Sequence, residues 1–383
     1  MMGIFQDLEA FGHEQVTFFQ DKESGLRAII GVHSTVLGPA LGGCRMWSYA
    51  NEAAALKDVL RLSRGMTYKA ALAGLNLGGG KAVIIGDSHS MKSKELMLAF
   101  GRAVDTLGGR YITAEDVGMS VKDIDTVRQV TDFAVGGSNH GGSGDPSIMT
   151  AFGVFQGMKA ALKHAGFGVK FEGIRVAVQG TGNVGYHLCK YLANAGAKLT
   201  VTDIYPAQVQ KVSKEFGAEV VAPQDIYSVE ADIFAPCALG AILNNRTVSQ
   251  LKAKIVAGSA NNQLESAETD GAALAARGIL YVPDYAINAG GLINVAGELD
   301  GYNHERVLTK VGRIYNTIDH IFEQSKIQSI LPHQAADSIA EERLNSGRQE
   351  REALRAIDDR GTRPVHPALK TTRTTGNWSV VHH

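Results

Sequence analysis

The chain has 383 residues, of which 44% are apolar and 20% are charged, and its formal net charge is −1. That length exceeds one ordinary core and suits two α/β domains. Because the sequence contains no basic block, nucleic-acid binding through a cationic surface is disfavoured. The N-terminus lacks the pattern of a signal peptide and no apolar run is long enough to cross a bilayer. We therefore expect a cytoplasmic protein without a membrane partner.

The positions of cysteine and histidine indicate neither disulfides nor a metal site. The three cysteines, Cys44, Cys189 and Cys237, are far apart and odd in number. This spacing is typical of a reducing compartment rather than of a disulfide framework or a zinc site. The 12 histidines are scattered without the spacing of ligands. We therefore predict no bound metal.

The first third of the chain alternates between strand-like and helix-like segments. Apolar periodicity predicts a helix over residues 51–72, with Asn51 as its N-cap. A second helix is predicted over residues 93–107. The predicted strands are residues 14–21, 25–35, 81–86 and 109–116. The glycine-rich segment 136–148 has the strongest linker composition in the chain.

The second part of the chain restarts with a predicted helix over residues 150–165 and a strand–turn–helix–strand unit over residues 173–203. Repeated alternation of strands and helices predicts a parallel, doubly wound sheet. Further strand candidates are residues 231–237, 253–260 and 279–287. From Asn288 onward, long helices are predicted over residues 304–328 and 332–347, and we expect them to return toward the first domain.

A glycine motif opens the helix of the strand–turn–helix–strand unit. Residues 180–185 match G-x-G-x-x-G, between a strand and a helix, as the dinucleotide fingerprint requires. Gly180 allows the tight turn, Gly182 lets a pyrophosphate approach the helix N-terminus, and Gly185 lets helix and strand pack closely. Asp203 ends the next strand about 20 residues later, where its carboxylate would bind ribose hydroxyls and repel a 2′-phosphate. The motif therefore favours NAD over NADP, the alternative being an ordinary turn without a ligand.

These patterns predict an α/β protein whose two domains are separated by a cleft. Residues 1–140 are expected to form an α/β domain for substrate binding, catalysis and oligomerisation. Residues 147–330 are expected to form a Rossmann-type NAD-binding domain. The C-terminal helices, within residues 331–383, are expected to pack back on the first domain.

Two lysines, Lys69 and Lys81, flank the three glycines at 78–80. A phosphate-binding loop is excluded, because the Walker A glycine spacing is absent and Ala82 stands where Ser or Thr is required. The segment also runs from helix to strand, the reverse of a P-loop. Instead, we expect the glycines to let the chain turn tightly, so that both lysines face one small ligand.

Asp116 follows a predicted strand, at the end of an open sheet where ligand-binding groups gather. A cleft that holds this carboxylate and the two lysines has coupled titrations. Each lysine disfavours the charge of the other, so we expect one lysine to approach neutrality at about pH 7 to 8. Such a lysine is a usable general base.

Seven segments, taken in chain order, form a wider pattern. They are GPALGGCRMW (38–47), RLSRGMTYKAALAGLNLGGGKAVI (61–84), TAEDVG (113–118), GTGNVG (180–185), APCALGA (235–241), GSANNQL (258–264) and NAGGLINVAGEL (288–299). The pattern resembles the Glu/Leu/Phe/Val dehydrogenase family of amino-acid dehydrogenases over residues 10–345, nearly the whole chain. The lysine–glycine–lysine block is its most specific part.

This resemblance implies a reaction and roles for the charged residues. Lys69 would hold the substrate α-carboxylate, helped by backbone at Gly42 and Gly43. Lys81 would be the general base that deprotonates water, and Asp116 would assist proton transfer at the amino group. The implied reaction is reversible oxidative deamination, in which an L-amino acid, NAD and water give a 2-oxo acid, ammonium and NADH.

The same resemblance implies further contacts with substrate and cofactor. Asn261 is implied as a substrate contact, and Thr150 and Asn288 as cofactor contacts. The other implied cofactor-binding residues are Gly180, Thr181, Gly182, Asn183, Val184, Gly185, Asp203, Cys237 and Ala238. The implied walls of the side-chain pocket are Leu41, Met66, Ala114, Leu292 and Val295.

These pocket walls are aliphatic and would leave the side-chain charge of glutamate unpaired, so glutamate should be rejected. One methylene is worth only about 1–3 kcal/mol in such a pocket, so we expect activity on Leu, Val and Ile together. A phenylalanine dehydrogenase, with a roomier wall at Ala114 and Val295, is the nearest alternative. A non-catalytic sensor of NAD or amino acids is a second. The resemblance also implies a homo-oligomer, octamer or dimer, although the tail after residue 358 does not match the family.

Overall fold

The N-terminal domain is built on a mixed sheet of five strands in the order β1-β2-β4-β3-β5. The computed structural model describes residues 4–138 and 142–358. The elements of this domain are α1 (Ile4–Phe11), β1 (Gln15–Asp21), β2 (Leu26–Ser34), β3 (Ala40–Trp47), α2 (Glu52–Leu72), β4 (Gly78–Ile85), α3 (Lys94–Asp105), β5 (Tyr111–Glu115) and α4 (Val121–Val127). Strand β3 runs parallel to both of its neighbours, whereas β2 is antiparallel to β1 and β4.

The predicted helix over residues 51–72 is α2, and the Asn51 side chain caps it by accepting from the backbone N of Ala54 at 2.9 Å. Strand β3 was not predicted, because glycines and a proline mask its sequence signal. It lies between β4 and β5, and a Cβ on Gly42 would lie 1.8 Å from the Gly80 carbonyl oxygen. Glycine is thus required where neighbouring backbones approach most closely.

The three glycines at 78–80 are part of strand β4, so the prediction that they form a tight turn was wrong. Their role is close packing, since a Cβ on Gly79 would lie 2.1 Å from the backbone N of Thr67. Helix α2 therefore lies directly on the backbone of β4. Alternate residues of a strand share one face, so Lys81 projects from the same face as Gly79, toward the helix that carries Lys69.

The second domain contains a sheet of six parallel strands in the order β11-β10-β9-β6-β7-β8. Its elements are α5 (Ser147–His164), β6 (Arg175–Gln179), α6 (Asn183–Asn194), β7 (Lys198–Thr202), α7 (Pro206–Phe216), β8 (Glu219–Val220), β9 (Ile233–Pro236), α8 (Asn245–Val248), β10 (Ile255–Val256), α9 (Ala267–Ala276), β11 (Leu280–Tyr281), α10 (Asp284–Ile287) and α11 (Gly290–Ala296). The strand order reverses between β6 and β9, and ligands bind at such a switch point in doubly wound sheets. The two-domain α/β fold predicted from the sequence is confirmed.

Three further helices follow: α12 (His304–Gly312), α13 (Ile314–Gln328) and α14 (Pro332–Asp358). The single helix expected over 304–328 is thus two helices, which meet at Arg313 and pack against α5. Helix α14 packs on α2, where Arg343 donates to the carbonyl oxygens of Ala71 at 2.6 Å and Leu75 at 2.8 Å. Residues 359–383 of the expected C-terminal region lie outside the described residues.

The largest hydrophobic cluster extends from α2 through α5 to the second sheet and the C-terminal helices. Its members at the centre of this path include Tyr68, Val154 and Ile287. Both domains therefore share a continuous core, which fixes the geometry of the site between them. The exact domain boundaries at 140, 147 and 330 stay predictions.

Candidate active site

A cleft between the two domains encloses a cavity of about 610 Å³. It brings together predicted substrate and catalytic residues from both sides. The predicted residues that line it are Leu41, Gly42, Gly43, Met66, Lys69, Lys81, Ala114, Asp116, Thr150, Val184, Asn261, Asn288, Leu292 and Val295. Positions far apart in the sequence converge because β3 pairs with both β4 and β5, which places Gly43 next to Ala114 and near Lys81 on the first sheet. Residues of α6, α10 and α11 line the cavity from the second domain.

Lys81 and Asp116 form an ion pair at the base of the cleft. The Lys81 Nζ lies 2.9 Å from the Asp116 Oδ2, and Lys81 is only 5% exposed. Burial acts to raise the pKa of Asp116, but the cations Lys81 and Arg45 outweigh it and lower that pKa. The carboxylate is therefore ionised and able to accept a proton from a ligand.

Arg45 on β3 is a part of this site that the sequence analysis missed. Its Nε donates to the Asp116 Oδ2 at 3.0 Å, and its Nη1 donates to the Asp58 Oδ2 at 3.0 Å. Tyr49 also donates to Asp58, at 2.7 Å. This network ties Asp116 to helix α2. Only the position of Arg45 within the GPALGGCRMW segment could have drawn attention to it.

Lys69 lies near the end of α2, and its Nζ donates to the Asn261 Oδ1 of the second domain at 3.2 Å. Burial lowers the pKa of Lys69 to about 8, with Lys81 also lowering it and Asp284 and Asp116 opposing the shift. The lysine that was expected to approach neutrality is therefore Lys69, which the family resemblance implies to hold the substrate carboxylate.

Asn261 belongs to a loop that follows β10, and the side chains of Asn288 and Asp284 hold this loop by hydrogen bonds. The Asn288 Nδ2 donates to the Asn261 Oδ1 at 2.7 Å and to the Ser259 carbonyl oxygen at 3.0 Å. The next residue, Asn262, has a φ of 51°, in the left-handed region that asparagine tolerates better than most residues. The carboxylate of Asp284 accepts from the backbone N of Gln263 at 3.0 Å. The loop is therefore fixed, and Asn261 is directed toward Lys69.

Glu115, immediately before Asp116, also lines the cavity and was not predicted. Its Oε2 is buried and has no hydrogen-bond partner within the described part of the chain. Burial, and then the nearby carboxylates Asp145, Asp123 and Asp116, raise the pKa of Glu115 to about 7. A carboxyl group therefore titrates near neutral pH beside the reacting centre.

The glycine motif lies at the switch point of the second sheet, between β6 and α6. Gly180 has a φ of 98°, and a Cβ on Gly185 would lie 2.0 Å from the Gly180 carbonyl oxygen. A Cβ on Gly182, in contrast, would find no atom closer than 4.0 Å. Two glycines are thus needed for packing, and the third leaves open space at the N-terminus of α6, as a dinucleotide pyrophosphate requires.

The remaining predicted cofactor residues surround this turn. Asp203 accepts from the backbone N of Thr181 at 2.6 Å and from that of Tyr205 at 3.0 Å. Cys237 follows β9 and donates its backbone N to the Gln179 carbonyl oxygen at 2.7 Å, and Ala238 packs against Gly180. Asn183 begins α6. These residues form a cradle that fits a dinucleotide and that continues into the cleft through Val184.

Four of the predicted pocket walls, Leu41, Ala114, Leu292 and Val295, are buried, and Met66 is half-buried. The two arginines of the cavity are both bound to Asp58, at 3.0 Å for Arg45 and 3.3 Å for Arg61. Within residues 4–138 and 142–358, no cluster of three or more His, Cys, Asp or Glu could hold a metal ion. In the same described residues, no helix is both long and apolar enough to span a membrane.

A dinucleotide cradle that opens into a cleft with two lysines and a carboxylate defines a nicotinamide-dependent dehydrogenase of small, carboxylate-bearing substrates. Residues 13–133 match the family profile described as "Glu/Leu/Phe/Val dehydrogenase, dimerisation domain". Residues 141–206 and 205–350 match the profile described as "Glutamate/Leucine/Phenylalanine/Valine dehydrogenase". The chain belongs to the Glu/Leu/Phe/Val dehydrogenase family, as its sequence motifs indicated. This family of amino-acid dehydrogenases is NAD(P)-dependent and oligomeric, and the chain carries its dimerisation domain.

Similar curated proteins cover nearly the full chain. A leucine dehydrogenase from Bacillus cereus is 58% identical over 345 residues, which are 90% of this chain and 94% of that protein. A valine dehydrogenase from Streptomyces albus is 50% identical over 89% of this chain and 94% of its own. The crystal structure of L-tryptophan dehydrogenase from Nostoc punctiforme superposes with a TM-score of 0.79 at 47% identity, covering 90% of this chain and 100% of that one. The chain is therefore an amino-acid dehydrogenase enzyme, similar to leucine dehydrogenases.

Proposed function

We propose that this enzyme catalyses the NAD-dependent, reversible oxidative deamination of branched-chain L-amino acids, with L-leucine, L-valine and L-isoleucine as substrates. The observation that carries the proposal is the cleft cavity, in which the Lys69 and Lys81 side chains adjoin a wall of aliphatic residues. The similarity to leucine dehydrogenases at 55–58% identity supports the same substrate class. L-leucine, NAD⁺ and water give 4-methyl-2-oxopentanoate, ammonium, NADH and a proton.

The carboxylate end of the substrate binds at Lys69. Its ammonium group donates to the carboxylate, and backbone at Gly42 and Gly43 also lines the cavity. Asn261 holds the Lys69 Nζ at 3.2 Å, so the cation is oriented before the substrate arrives. A charge-assisted contact of this kind also fixes the direction of the substrate Cα.

The reacting centre lies beside the ion pair of Lys81 and Asp116. Bound NAD supplies the hydride acceptor at the cradle around Gly182. Asp116 accepts a proton from the substrate ammonium group, and Lys81 acts as the general base toward the water that attacks the iminium carbon. Because the two side chains are 2.9 Å apart, a proton can pass between the Lys81 Nζ and the carboxylate as the carbinolamine collapses to oxo acid and ammonia.

The side-chain end of the substrate faces Leu41, Met66, Ala114, Leu292 and Val295. The cavity arginines are already bound to Asp58, so a glutamate side chain would be desolvated without a partner. Leucine, isoleucine and valine differ by one methylene or by branching, which such a wall separates by only about 1–3 kcal/mol. The preference is therefore broad among branched-chain amino acids.

NAD is favoured over NADP by the residues that follow β7. Asp203 provides a negative charge at the expected ribose position, and the next three residues are Ile204, Tyr205 and Pro206, none of which is a cation. A 2′-phosphate would meet a carboxylate without an arginine to balance it. The active form is a homo-oligomer, a dimer or an octamer, which sedimentation of the full chain would distinguish.

The test is a rate panel of Leu, Val, Ile, Phe, Trp and Glu with NAD, followed by NADH absorbance. We expect kcat/KM values for Leu, Val and Ile within about tenfold of one another. Glutamate should be slower by about a thousandfold or more, because its charge is unpaired. A panel led by Phe or Trp would overturn the aliphatic-pocket argument, and NADH binding without turnover of any amino acid would support the sensor alternative instead.

A further inference from the structure

The cleft contains a buried carboxylate with no role in the mechanism above. Asp284, the first residue of α10, is 7% exposed and lines the cavity from the second domain. Buried carboxylates are costly unless they are hydrogen-bonded or face a cation. The presence of a buried carboxylate in the cavity that Lys69 of α2 also lines therefore needs an explanation.

Both oxygens of Asp284 accept hydrogen bonds from the backbone. The Oδ2 accepts from the backbone N of Gln263 at 3.0 Å, and the Oδ1 accepts from that of Tyr285 at 2.8 Å. The hydrogen bond from Gln263 holds the loop that carries Asn261 and Asn262. Asn262 has a positive φ of 51°. Holding a non-glycine residue in that region costs about 1 kcal/mol or more, so the loop needs such an anchor.

Asp284 and Lys69 both line the cleft cavity and interact electrostatically. Among the residues that the structure describes, Lys69 has no carboxylate within 4.0 Å of its Nζ. Its ammonium group therefore forms no ion pair that would compete with a substrate carboxylate. Asp284 acts on it at longer range and raises its pKa, against burial and Lys81, which lower it, while Asp116 also raises it. Tyr281 and Tyr285, the titratable neighbours of Asp284, have pKa values above the usual range because they are buried.

We propose that Asp284 is a positioning residue for recognition of the substrate carboxylate: it anchors the Asn261 loop and places a negative charge in the cavity that Lys69 also lines. A buried amine without a nearby anion would lose its proton and could no longer bind a carboxylate. An anion in direct contact would instead compete with the substrate for the Nζ hydrogens. Asp284 avoids this competition, since its oxygens are bound to backbone N–H groups. This inference rests on the proposed function, because the carboxylate concerned is that of the amino acid.

The test is the pH dependence of KM for L-leucine in Asp284→Asn and Asp284→Ser, measured on the full chain with saturating NAD. In the wild type, KM should rise as the pH passes about 8, where Lys69 loses its proton. Removing the negative charge lowers the Lys69 pKa further, so this rise should begin at a pH lower by about one unit. At pH 7, KM should increase by at least about twofold, from the larger neutral fraction of Lys69 and from the loosened Asn261 loop, with kcat reduced far less.

Asp270→Asn is the matched control. Asp270 is 4% exposed, accepts from the backbone N of Ser266 at 2.7 Å at the start of α9, and does not line the cleft cavity. Its replacement should lower the thermal midpoint without moving the pH dependence of KM. Lys69→Arg provides a second control, because arginine stays charged at alkaline pH. Adding Asp284→Asn to Lys69→Arg should leave the pH dependence of KM unchanged.

Direct binding separates this inference from the proposed function. Titration calorimetry with 4-methylpentanoate, a carboxylate without an amino group, reports the carboxylate site in the NADH-loaded enzyme without turnover. A weaker affinity whose pH midpoint moves down in Asp284→Asn supports the inference. An unchanged midpoint in a folded, active variant overturns it, as does a failure of both Asp284 variants to fold, which would assign the carboxylate to stability alone. Absence of leucine turnover in the wild type would instead count against the proposed function.

Discussion

Lys69 of the first domain and Asn261 of the second meet across the cleft, with the Lys69 Nζ 3.2 Å from the Asn261 Oδ1. The ion pair of Lys81 and Asp116, in contrast, lies entirely within the first domain. Groups that bind the carboxylate thus come from both domains, whereas the groups that move protons come from one. A displacement of the second domain should therefore affect substrate binding before it disturbs the proton-transfer pair.

Replacing Lys81 with Ala should remove the general base and lower kcat by about 10²–10⁴-fold, the range typical of a positioned acid or base. NADH should still bind, because the cradle around Gly182 is in the other domain. Fluorescence titration with NADH and turnover of L-leucine together check this. Lys92→Ala is the control: Lys92 also pairs with a carboxylate, Asp123, at 2.7 Å, but does not line the cavity. Near-normal turnover in Lys81→Ala would contradict the assigned role.

Replacing Arg45 with Met should shift the acidic limb of the kcat/KM profile. Arg45 helps to lower the pKa of Asp116. Without this cation the pKa of Asp116 rises, the carboxylate is protonated at higher pH, and the acidic limb moves to higher pH. We expect kcat/KM at neutral pH to fall about tenfold. Arg27→Met, which removes an exposed pair with Glu52, should change neither quantity; an Arg45→Met profile that coincides with the wild type would refute the argument.

Replacing Asp203 with Ser together with Ile204→Arg should change the cofactor preference. The repulsion of a 2′-phosphate is removed and a cation is provided for it, so kcat/KM with NADP should rise by about tenfold or more. The value with NAD should fall, since the ribose hydroxyls lose an acceptor. Steady-state kinetics with both cofactors measure the ratio. The single variant Ile204→Arg separates the added cation from the lost carboxylate, and an unchanged ratio in the double variant would mean that the ribose binds elsewhere.

Replacing His33 with Asn should flatten the dependence of stability on pH. Burial lowers the pKa of His33 to about 4, so the folded state keeps it neutral while the unfolded chain binds a proton below about pH 6.5. Stability is therefore lost as the pH falls from about 6.5 to 4, by up to roughly 3 kcal/mol for this group. Thermal midpoints at pH 7 and pH 5 should differ less in His33→Asn than in the wild type.

The control for this measurement is His320→Asn, which removes an exposed histidine of α13. Its midpoints should show the same pH dependence as the wild type. His33→Asn should also be less stable at pH 7 by about 1–2 kcal/mol, because His33 bonds to the Thr67 Oγ1 at 2.8 Å and the Phe11 carbonyl oxygen at 3.1 Å. If the thermal midpoint of His33→Asn changes with pH as much as that of the wild type, other groups govern acid unfolding.

Elements with a strong local signal could be predicted from the sequence. Helix α2 has an N-cap and an apolar stripe, and β6 and α6 are joined by a glycine turn. Strand β3 was missed because its glycines serve strand-to-strand contacts that no local rule contains. The strands expected over 253–260 and 279–287 pair for only two residues each. Beyond those residues, the chain leaves the sheet to form the Asn261 loop and α10.

The class of site could be predicted from the sequence alone, because the spacing of Lys69, Lys81 and Asp116 and the glycine motif at 180–185 are local patterns with a chemical meaning. The charge states of these groups and the contacts that hold them depend instead on the packing of distant segments. Lys69 meets Asn261, 192 positions away in the chain, and Asp116 is bound by Arg45, 71 positions away. Electrostatic effects and burial depend on distance in space, so the lowered pKa of Lys69 and the position of Asp284 opposite it follow from packing rather than from any single segment.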